Sequence, residues 1–369
     1  MKTIKVLFLV AGLLIFGISN KTNAQVRVLG GITNGSYNVM ANDLKKLIDS
    51  KISQIQDSIN IINKKILQLA SQKQDTMLIS QQKRKILLRL DYFKSISVEF
   101  TATKGSLDNI DKINKKAGVQ HDLAFVQYDV VLFKQFEDLE GEKFSTENLR
   151  LVLPIGLEEI HVLARTDGNI NTLADLFAKK EKEKKYVVSG SIGTGTRITA
   201  DVMKSKIMNS VKKGDIFGWY DAPITFDNAM GKLISNQIDA NLNGVIQVGA
   251  APMDKLKKYQ LSAGQKMKLV PVTNPELADA YVKTTIKAGT YKWADYDVPT
   301  YAVRTVIITN IAIDDVARQK KMEAFLSFLR DNLDWLKQHG HAVWKQVDLD
   351  FSGFPELETY EVSSKVFGK

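Results

Sequence analysis

The residues best placed to do chemistry lie in the run Tyr186-Val187-Val188-Ser189-Gly190-Ser191-Ile192-Gly193-Thr194-Gly195-Thr196-Arg197-Ile198-Thr199-Ala200. It reads as a strand, a turn rich in glycine and hydroxyl groups, and the first turn of a helix. The chemistry this suits is anion capture. A helix N-terminus has unpaired backbone N–H groups and the positive end of its dipole, so a carboxylate or phosphate is held there without a basic side chain. Small residues over 189–196 let the backbone approach a ligand, and Ser189, Ser191, Thr194, Thr196 and Thr199 supply hydroxyls. The alternative is an ordinary N-capped helix after a strand.

Other chemistries lack their parts. Gly190 to Arg197 has the glycine spacing of a nucleotide-binding loop, but Thr196-Arg197 stands where Lys and Ser/Thr would be needed to hold phosphates and magnesium. Gly193-Thr194-Gly195 lacks the third glycine of a dinucleotide fingerprint. No Gly-x-Ser-x-Gly elbow occurs, and Glu158-Glu159, as neighbours on a strand, point to opposite faces and cannot share acid–base work. The chain has no cysteine and four histidines, His121, His161, His339 and His341, without metal-ligand spacing. His339 and His341 read as cationic groups near a helix C-terminus. No catalytic residue, metal or cofactor is expected.

The elements that must position such a turn recur along the chain. Val26 to Leu29 is a strand followed by Gly30-Gly31-Ile32-Thr33-Asn34-Gly35-Ser36-Tyr37 and a helix carrying Val39, Met40, Leu44, Leu47 and Ile48. Ser97 to Thr103 is a strand followed by Lys104-Gly105-Ser106 and a helix from Leu107 to about Asn114. Asp122 to Asp129 is a buried strand that ends in polar groups. Strand-to-helix alternation argues for an α/β fold with parallel strands, and ligands of such sheets sit beyond the carboxyl ends of the strands. Further strands are expected at 151–156, 159–165, 268–272 and 301–309. Short helices are expected at 170–176 and 226–235, a helix is expected from the opening turn to about Val211, and amphipathic helices with Trp335 and Trp344 close the chain.

One stretch departs from this pattern. Ile48, Ile52, Ile55, Ile59, Ile62, Ile66 and Leu69 alternate spacings of four and three, the seam of a coiled coil, and Ile79, Ile86, Leu90 and Phe93 resume it after Ser71-Gln72-Lys73-Gln74-Asp75. This predicts a helical hairpin inserted over 51–93. Residues 51–90 carry eight basic side chains against two acidic ones. The hairpin is either a surface addition without a partner, or a device for dimerisation or for docking on an acidic or membrane-associated partner. It also explains most of the net charge of +10. A charge so concentrated, without interleaved aromatics in a groove, excludes nucleic acid as the expected partner.

The N-terminus, Met1-Lys2-Thr3-Ile4-Lys5 followed by an apolar run to Phe16, is too short to span a membrane, and Thr22-Asn23-Ala24 offers small residues for cleavage before Gln25. Residues 1–24 read as a secretory signal peptide, with a retained anchor as the alternative. The mature protein is therefore expected outside the cytoplasm, and without a cysteine it is not a lipoprotein. A chain of 369 residues, 44% hydrophobic and 25% charged, is globular and long enough for two lobes with their own cores.

Blocks along the chain carry a resemblance: Gly35-Ser36-Tyr37, Thr101 to Asn109, Ala124 to Asp129, Glu158 to Arg165, Ile170 to Leu176, Ser189 to Ala200, Phe226 to Ala240, Ala288 to Tyr291 and Asp297 to Thr300. In this order they resemble the TAXI-type solute receptors of tripartite ATP-independent periplasmic (TRAP) transporters. The departures are Asn34 and Asn38, where members usually have a glycine and a tyrosine, Lys104 in place of a glycine, and the hairpin. The resemblance implies a two-lobed periplasmic-binding-protein type II fold. Such a fold closes around a small organic anion, a carboxylate or an amino acid such as glutamate or glutamine, and presents it to a membrane permease. On this expectation residues 26–163 and 301–369 form lobe one, 164–300 form lobe two, and His161 to Arg165 and Tyr301 to Thr309 cross between them. The expected ligand shell is Asn34, Gly35, Ser36, Tyr37, Lys104, Gly105, Ser106, Gln127, Thr194, Gly195, Thr196, Trp219, Phe226 and Asn243. Lys104 is read as the partner of a second ligand carboxylate, with a solvated turn lysine as the alternative. The rival functions are an interaction protein that works through the basic hairpin, and an enzyme on the same scaffold.

Overall fold

The computed structural model describes residues 25–33, 35–115, 118–141, 145–235, 239, 241–261 and 266–368. The signal-peptide expectation for residues 1–24 lies outside them. Among the described residues no helix is long and apolar enough to cross a membrane. The chain divides into two compact units, one containing Leu44–Glu99 and the other Arg27–Asp43 with Phe100 onward.

The first unit is helical for most of its length. The chain runs from β1 (Val26–Leu29) into α1 (Ser36–Ser71), turns, and returns as α2 (Met77–Ser95). The break falls where the apolar repeat fails, and Asp75 accepts a bond from the Met77 N–H at 2.8 Å to start the second helix. Along both helices the repeat residues are the shielded ones: Ile55, Ile59, Leu90 and Phe93 are buried, whereas Ile61, Leu67, Leu78 and Leu88, off the repeat, are more than 60% exposed. Burial of one such isoleucine is worth about 2–3 kcal/mol, so the period decides which face is shielded.

The second unit is α/β, as expected. In chain order it holds β2 (Val98–Thr101, which straddles the boundary), α3 (Ser106–Ile113), β3 (Leu123–Gln127), α4 (Tyr128–Glu140), β4 (Arg150–Ala164), β5 (Tyr186–Val188), α5 (Gly195–Asn209), β6 (Tyr220–Asp221) and α6 (Phe226–Ile234). There follow β7 (Gly244–Gly249), α7 (Asp254–Lys257), β8 (Lys268–Val270), β9 (Val282–Ile286), β10 (Val298–Thr309), α8 (Val316–Asp331), α9 (Leu333–His339) and α10 (Glu361–Phe367). The sheet order is β2-β1-β3-β10-β4-β7-β5-β6, with β8 on β4 and β9 on β10.

Two long strands organise this sheet. β4 and β10 pair antiparallel from Glu159–Ala302 to Arg150–Thr309. At the Thr305–Ile308 end β10 also pairs with β3, next to parallel β1. At the other end β4 pairs with β7 and β8, and β10 with β9. One pair of strands thus serves two groups of neighbours, the arrangement expected of a binding-protein fold. The stretches read as separate strands at 151–156 and 159–165 are one strand: Pro154, which offers no N–H, and Gly156 fall where the ladder shifts register against β10.

Each group has its own core. Ile110, Val126, Val130, Leu151, Val306 and Ile308 lie in one, and Ile160, Val162, Leu173, Met203, Ile246 and Val303 in another. The short helix expected at 170–176 is a 3-10 turn over Leu173–Leu176, opened by a capping box between Thr172 and Asp175.

Candidate ligand-binding site

Strands β1, β2 and β5 each end at a turn that leads into a helix, and the three turns converge on one cavity of about 340 Å³. The first wall is the start of α1. Gly35, Ser36 and Tyr37 line the cavity, and the Tyr37 ring stacks on Phe125 with centroids 5.4 Å apart. Asn34 lies outside the described residues.

The second wall is the turn before α3. Thr103 Oγ1 donates to the Gly30 carbonyl at 2.8 Å, and Asn109 Nδ2 donates to the Phe125 carbonyl at 2.6 Å, tying the turn to β1 and β3. Gly105 has φ of 129°, which an L side chain adopts only with strain. Ser106 Oγ accepts from the Gln127 N–H at 3.0 Å. Lys104 also lines the cavity; its side chain is exposed, and its N–H is bonded to Asp108 Oδ2 at 3.0 Å.

The third wall is the run that opened the sequence analysis. Gly190 and Gly193 take φ of 87° and 85°, and Thr194 caps α5 by accepting from the Arg197 N–H at 3.3 Å. A β-carbon on Gly195 would stand 1.8 Å from Gln127 Oε1, so any side chain there would push the Gln127 amide aside. Thr196 Oγ1 accepts from the Val248 N–H at 3.3 Å. Arg197, which stands where a nucleotide loop has its Ser/Thr, is held by Asp201 and Asp221, each at 2.7 Å, and does not line the cavity.

The fourth wall comes from β7 and the residues after it, together with Phe226. The sequence reading passed over Gln247 to Lys255, although Gly244-Val245-Ile246-Gln247-Val248-Gly249 is a fully buried strand followed by a turn. A short apolar run with one internal glutamine is the signal that could have found it. Lys255 lies over the Phe226 ring, 4.7 Å from its centre, and its ammonium donates to Gln247 Oε1. Among the described residues it forms no ion pair with a carboxylate. Burial lowers its pKa to about 8.

The floor holds a residue that sequence reasoning set aside. Glu158 is 6% exposed, and its Oε2 accepts from Gln127 Nε2 at 2.7 Å and from the Tyr37 hydroxyl at 3.2 Å. Burial raises its pKa to about 7; the two hydrogen bonds oppose that rise, and Glu159 and Asp129 add to it. Glu159 engages a different group, accepting from the Ala251 N–H at 2.7 Å, so the two carboxylates do not share a site.

Two expected ligand residues lie elsewhere. Trp219 packs edge-on against Phe177 with centroids 5.0 Å apart, inside a hydrophobic core. Asn243 pins β5, its Oδ1 accepting from the Tyr186 N–H at 2.7 Å. Neither lines the cavity. Their side chains answer to packing and to the strand edge, the commoner fates of such residues. His341 does line it: α9 ends at His339, and His341 sits beyond that helix rather than at its terminus. Among the described residues no cluster of three His, Asp or Glu side chains could hold a metal.

The chain is similar to several solved structures at low identity. A Xanthomonas citri protein bound to a chloride ion is 12% identical over 94% of this chain and 98% of that one, with a TM-score of 0.43. The alkanesulfonate-binding protein SsuA from Xanthomonas axonopodis pv. citri, bound to MOPS, is 13% identical over 94% and 83%, with a TM-score of 0.38. The L-cystine solute receptor of Neisseria gonorrhoeae in its unliganded open conformation is 13% identical over 89% and 96%, with a TM-score of 0.35. A sequence model of the NMT1-like family matches residues 79–350, well over half of the chain, and the protein belongs to that family.

Proposed function

We propose that the protein is an extracytoplasmic solute-binding receptor of the TAXI type, which captures a small organic anion and delivers it to the permease of a TRAP transporter. The observation that carries the reading is the cavity itself. The N-terminal turn of α5, two further glycine-containing turns and Lys255 all face one space of about 340 Å³, within the range of small-molecule sites. Backbone donors and a cation around a partly desolvated space hold an anion more strongly than they would in water. The ligand shell under this reading is Gly35, Ser36, Tyr37, Lys104, Gly105, Ser106, Gln127, Thr194, Gly195, Thr196 and Phe226, joined by Glu158 and Lys255.

Thermal-shift screening of ligand-free protein against organic acids and amino acids tests this. A solute at 100 times its dissociation constant stabilises by ~2.7 kcal/mol, and at least one such shift is expected. No shift with any small anion overturns the reading, and turnover of a bound solute replaces it with an enzyme. A second reading draws on the exposed Ile61, Leu67, Leu78 and Leu88 of the basic hairpin, which suit a docked partner. Deleting 51–93 separates the two: solute binding survives under the receptor reading, and loss of a partner complex is the main defect under the other.

A further inference from the structure

We infer that the outward face of α2 is a membrane-docking surface, which lays a stripe of basic and apolar side chains on an anionic lipid bilayer. This goes beyond the receptor reading and does not depend on what the cavity holds.

Helix α2 is apolar on two sides. One side, with Leu90 and Phe93, is buried in the hairpin, as the repeat requires. The other carries Met77, Leu78 and Leu88 at 61%, 73% and 64% exposure, with Tyr92 at 39%. At 3.6 residues per turn these four, together with Arg84 and Lys85, fall within about a third of the helix circumference, turned away from Ile79, Ile86, Leu90 and Phe93. A helix that buries one face in its own fold ordinarily presents a polar face outward. Single exposed apolar residues need no explanation, but a row of four along one helix does.

The charge on this helix points to what covers the row. α2 holds Lys83, Arg84, Lys85, Arg89 and Lys94 against a single acid, Asp91. Among the described residues none of Lys83, Arg84, Lys85 and Arg89 is held in an ion pair, and Lys64, Lys65 and Lys73 add the same sign near the tip of the hairpin. The occupant therefore carries negative charge. A second copy of the hairpin brings the same cations: two antiparallel stripes would set Arg84 and Lys85 against their own counterparts, and like charges so placed oppose association. An acidic protein matches the sign but not the size. From Met77 to Tyr92 the stripe is about 23 Å long and about 10 Å wide, roughly 230 Å², against about 800 Å² per partner in a stable protein interface. A bilayer requires neither that area nor a groove. Lysine and arginine stems lie along the apolar residues and carry their charges to the lipid phosphates, while the Met, Leu and Tyr side chains sink between the headgroups.

Co-sedimentation of the full-length protein with vesicles tests this, using phosphatidylcholine alone and phosphatidylcholine mixed in equal parts with phosphatidylglycerol. The anionic vesicles should bind about tenfold or more tightly, and the advantage should shrink as salt is raised. Arg84→Gln combined with Lys85→Gln should weaken binding to anionic vesicles about tenfold. Leu78→Ser combined with Leu88→Ser should do the same, through lost apolar contact. Lys179→Gln combined with Lys180→Gln makes the same change of charge at exposed positions of the other unit, and should leave affinity within about twofold of wild type. Circular dichroism and melting curves of the variants confirm that the hairpin is folded. Equal affinity for the two kinds of vesicle overturns the inference, as does wild-type affinity in both α2 variants. Self-association in place of vesicle binding, abolished by the Leu78→Ser and Leu88→Ser changes, overturns it in favour of a second copy, and absence of both overturns it in favour of an acidic protein.

Discussion

At the scale of single residues the site is organised by two positions, Gly195 and Glu158. Gly195 brings the anion-binding turn against Gln127, and a β-carbon there would overlap Gln127 Oε1 at 1.8 Å and press on Ser106 Oγ at 3.2 Å. Gly195→Ala should therefore cost about 1–3 kcal/mol of stability in urea denaturation and abolish solute binding, since Gln127 must leave its bond to Glu158. A variant that binds normally would show that the close approach is incidental. Glu158 gives a prediction in pH. Its pKa rises from 4.5 to about 7 on folding, so the folded state holds a proton that the unfolded state has released. Stability from this group is complete below about 4.5 and is lost as pH rises through about 7. Gln127 and Tyr37 act on it through hydrogen bonds, and Glu159, Asp129 and Lys255 act on it through their charges. His161, pushed down to about 4 by burial, tilts the curve the other way, but it does so equally in both proteins. Glu158→Gln minus wild type should hence be flat below pH 4.5 and climb toward about 3 kcal/mol above pH 7, read from melting curves across that range. A flat difference throughout would mean that Glu158 is ionised and fully compensated in the empty site.

At the scale of elements, periodicity and the anion-binding turn were legible, and the fourth wall was not. The seam from Ile48 to Phe93 gave the hairpin because a repeat of alternating threes and fours has few other solutions. Its energetic content is testable: Ile59→Ala, at 4% exposure, should cost 2–5 kcal/mol of helix stability, whereas Ile61→Ala, at 67%, should stay within about 0.5 kcal/mol. Equal losses, followed by circular dichroism on heating, would contradict the assignment of faces. Two of the three strand–turn–helix units were legible for a similar reason, since Gly105 in one and Gly190 and Gly193 in the other take the positive φ that a tight turn before a helix demands. Lys255 escaped notice because nothing local marks it. It belongs to a four-residue helix, and its role comes from Phe226 and Gln247, residues brought to it by β7. Trp219 misled in the opposite sense: an aromatic beside a glycine suits a pocket lining, yet Phe177 supplied it with a core.

At the scale of the whole α/β unit, the two groups of strands that share β4 and β10 are also joined by a buried polar contact. Asp129, at the start of α4, follows β3, whereas Thr199 on α5 and Tyr281 before β9 belong with the group around β7 and β9. The Thr199 hydroxyl donates to Asp129 Oδ2 at 2.7 Å and the Tyr281 hydroxyl at 3.2 Å, while Oδ1 has no partner. Burial raises the Asp129 pKa to about 6, so above that pH a carboxylate charge rests on these two donors. Hydrogen bonds to a charged group are worth about 1.5–3 kcal/mol, and this one forms only while the two groups are together. If a solute is held by bringing them together, then Thr199→Val, which keeps the volume and removes the donor, should weaken solute binding about tenfold or more without touching the cavity. The loss should be largest above pH 6, where Asp129 is ionised, and should shrink below it as the protonated acid needs its donors less. Titration of one solute into wild type and Thr199→Val at pH 5 and pH 8 measures both effects. Unchanged affinity at both values, together with a lower melting temperature, would show that the contact is permanent and that capture does not depend on the two groups closing.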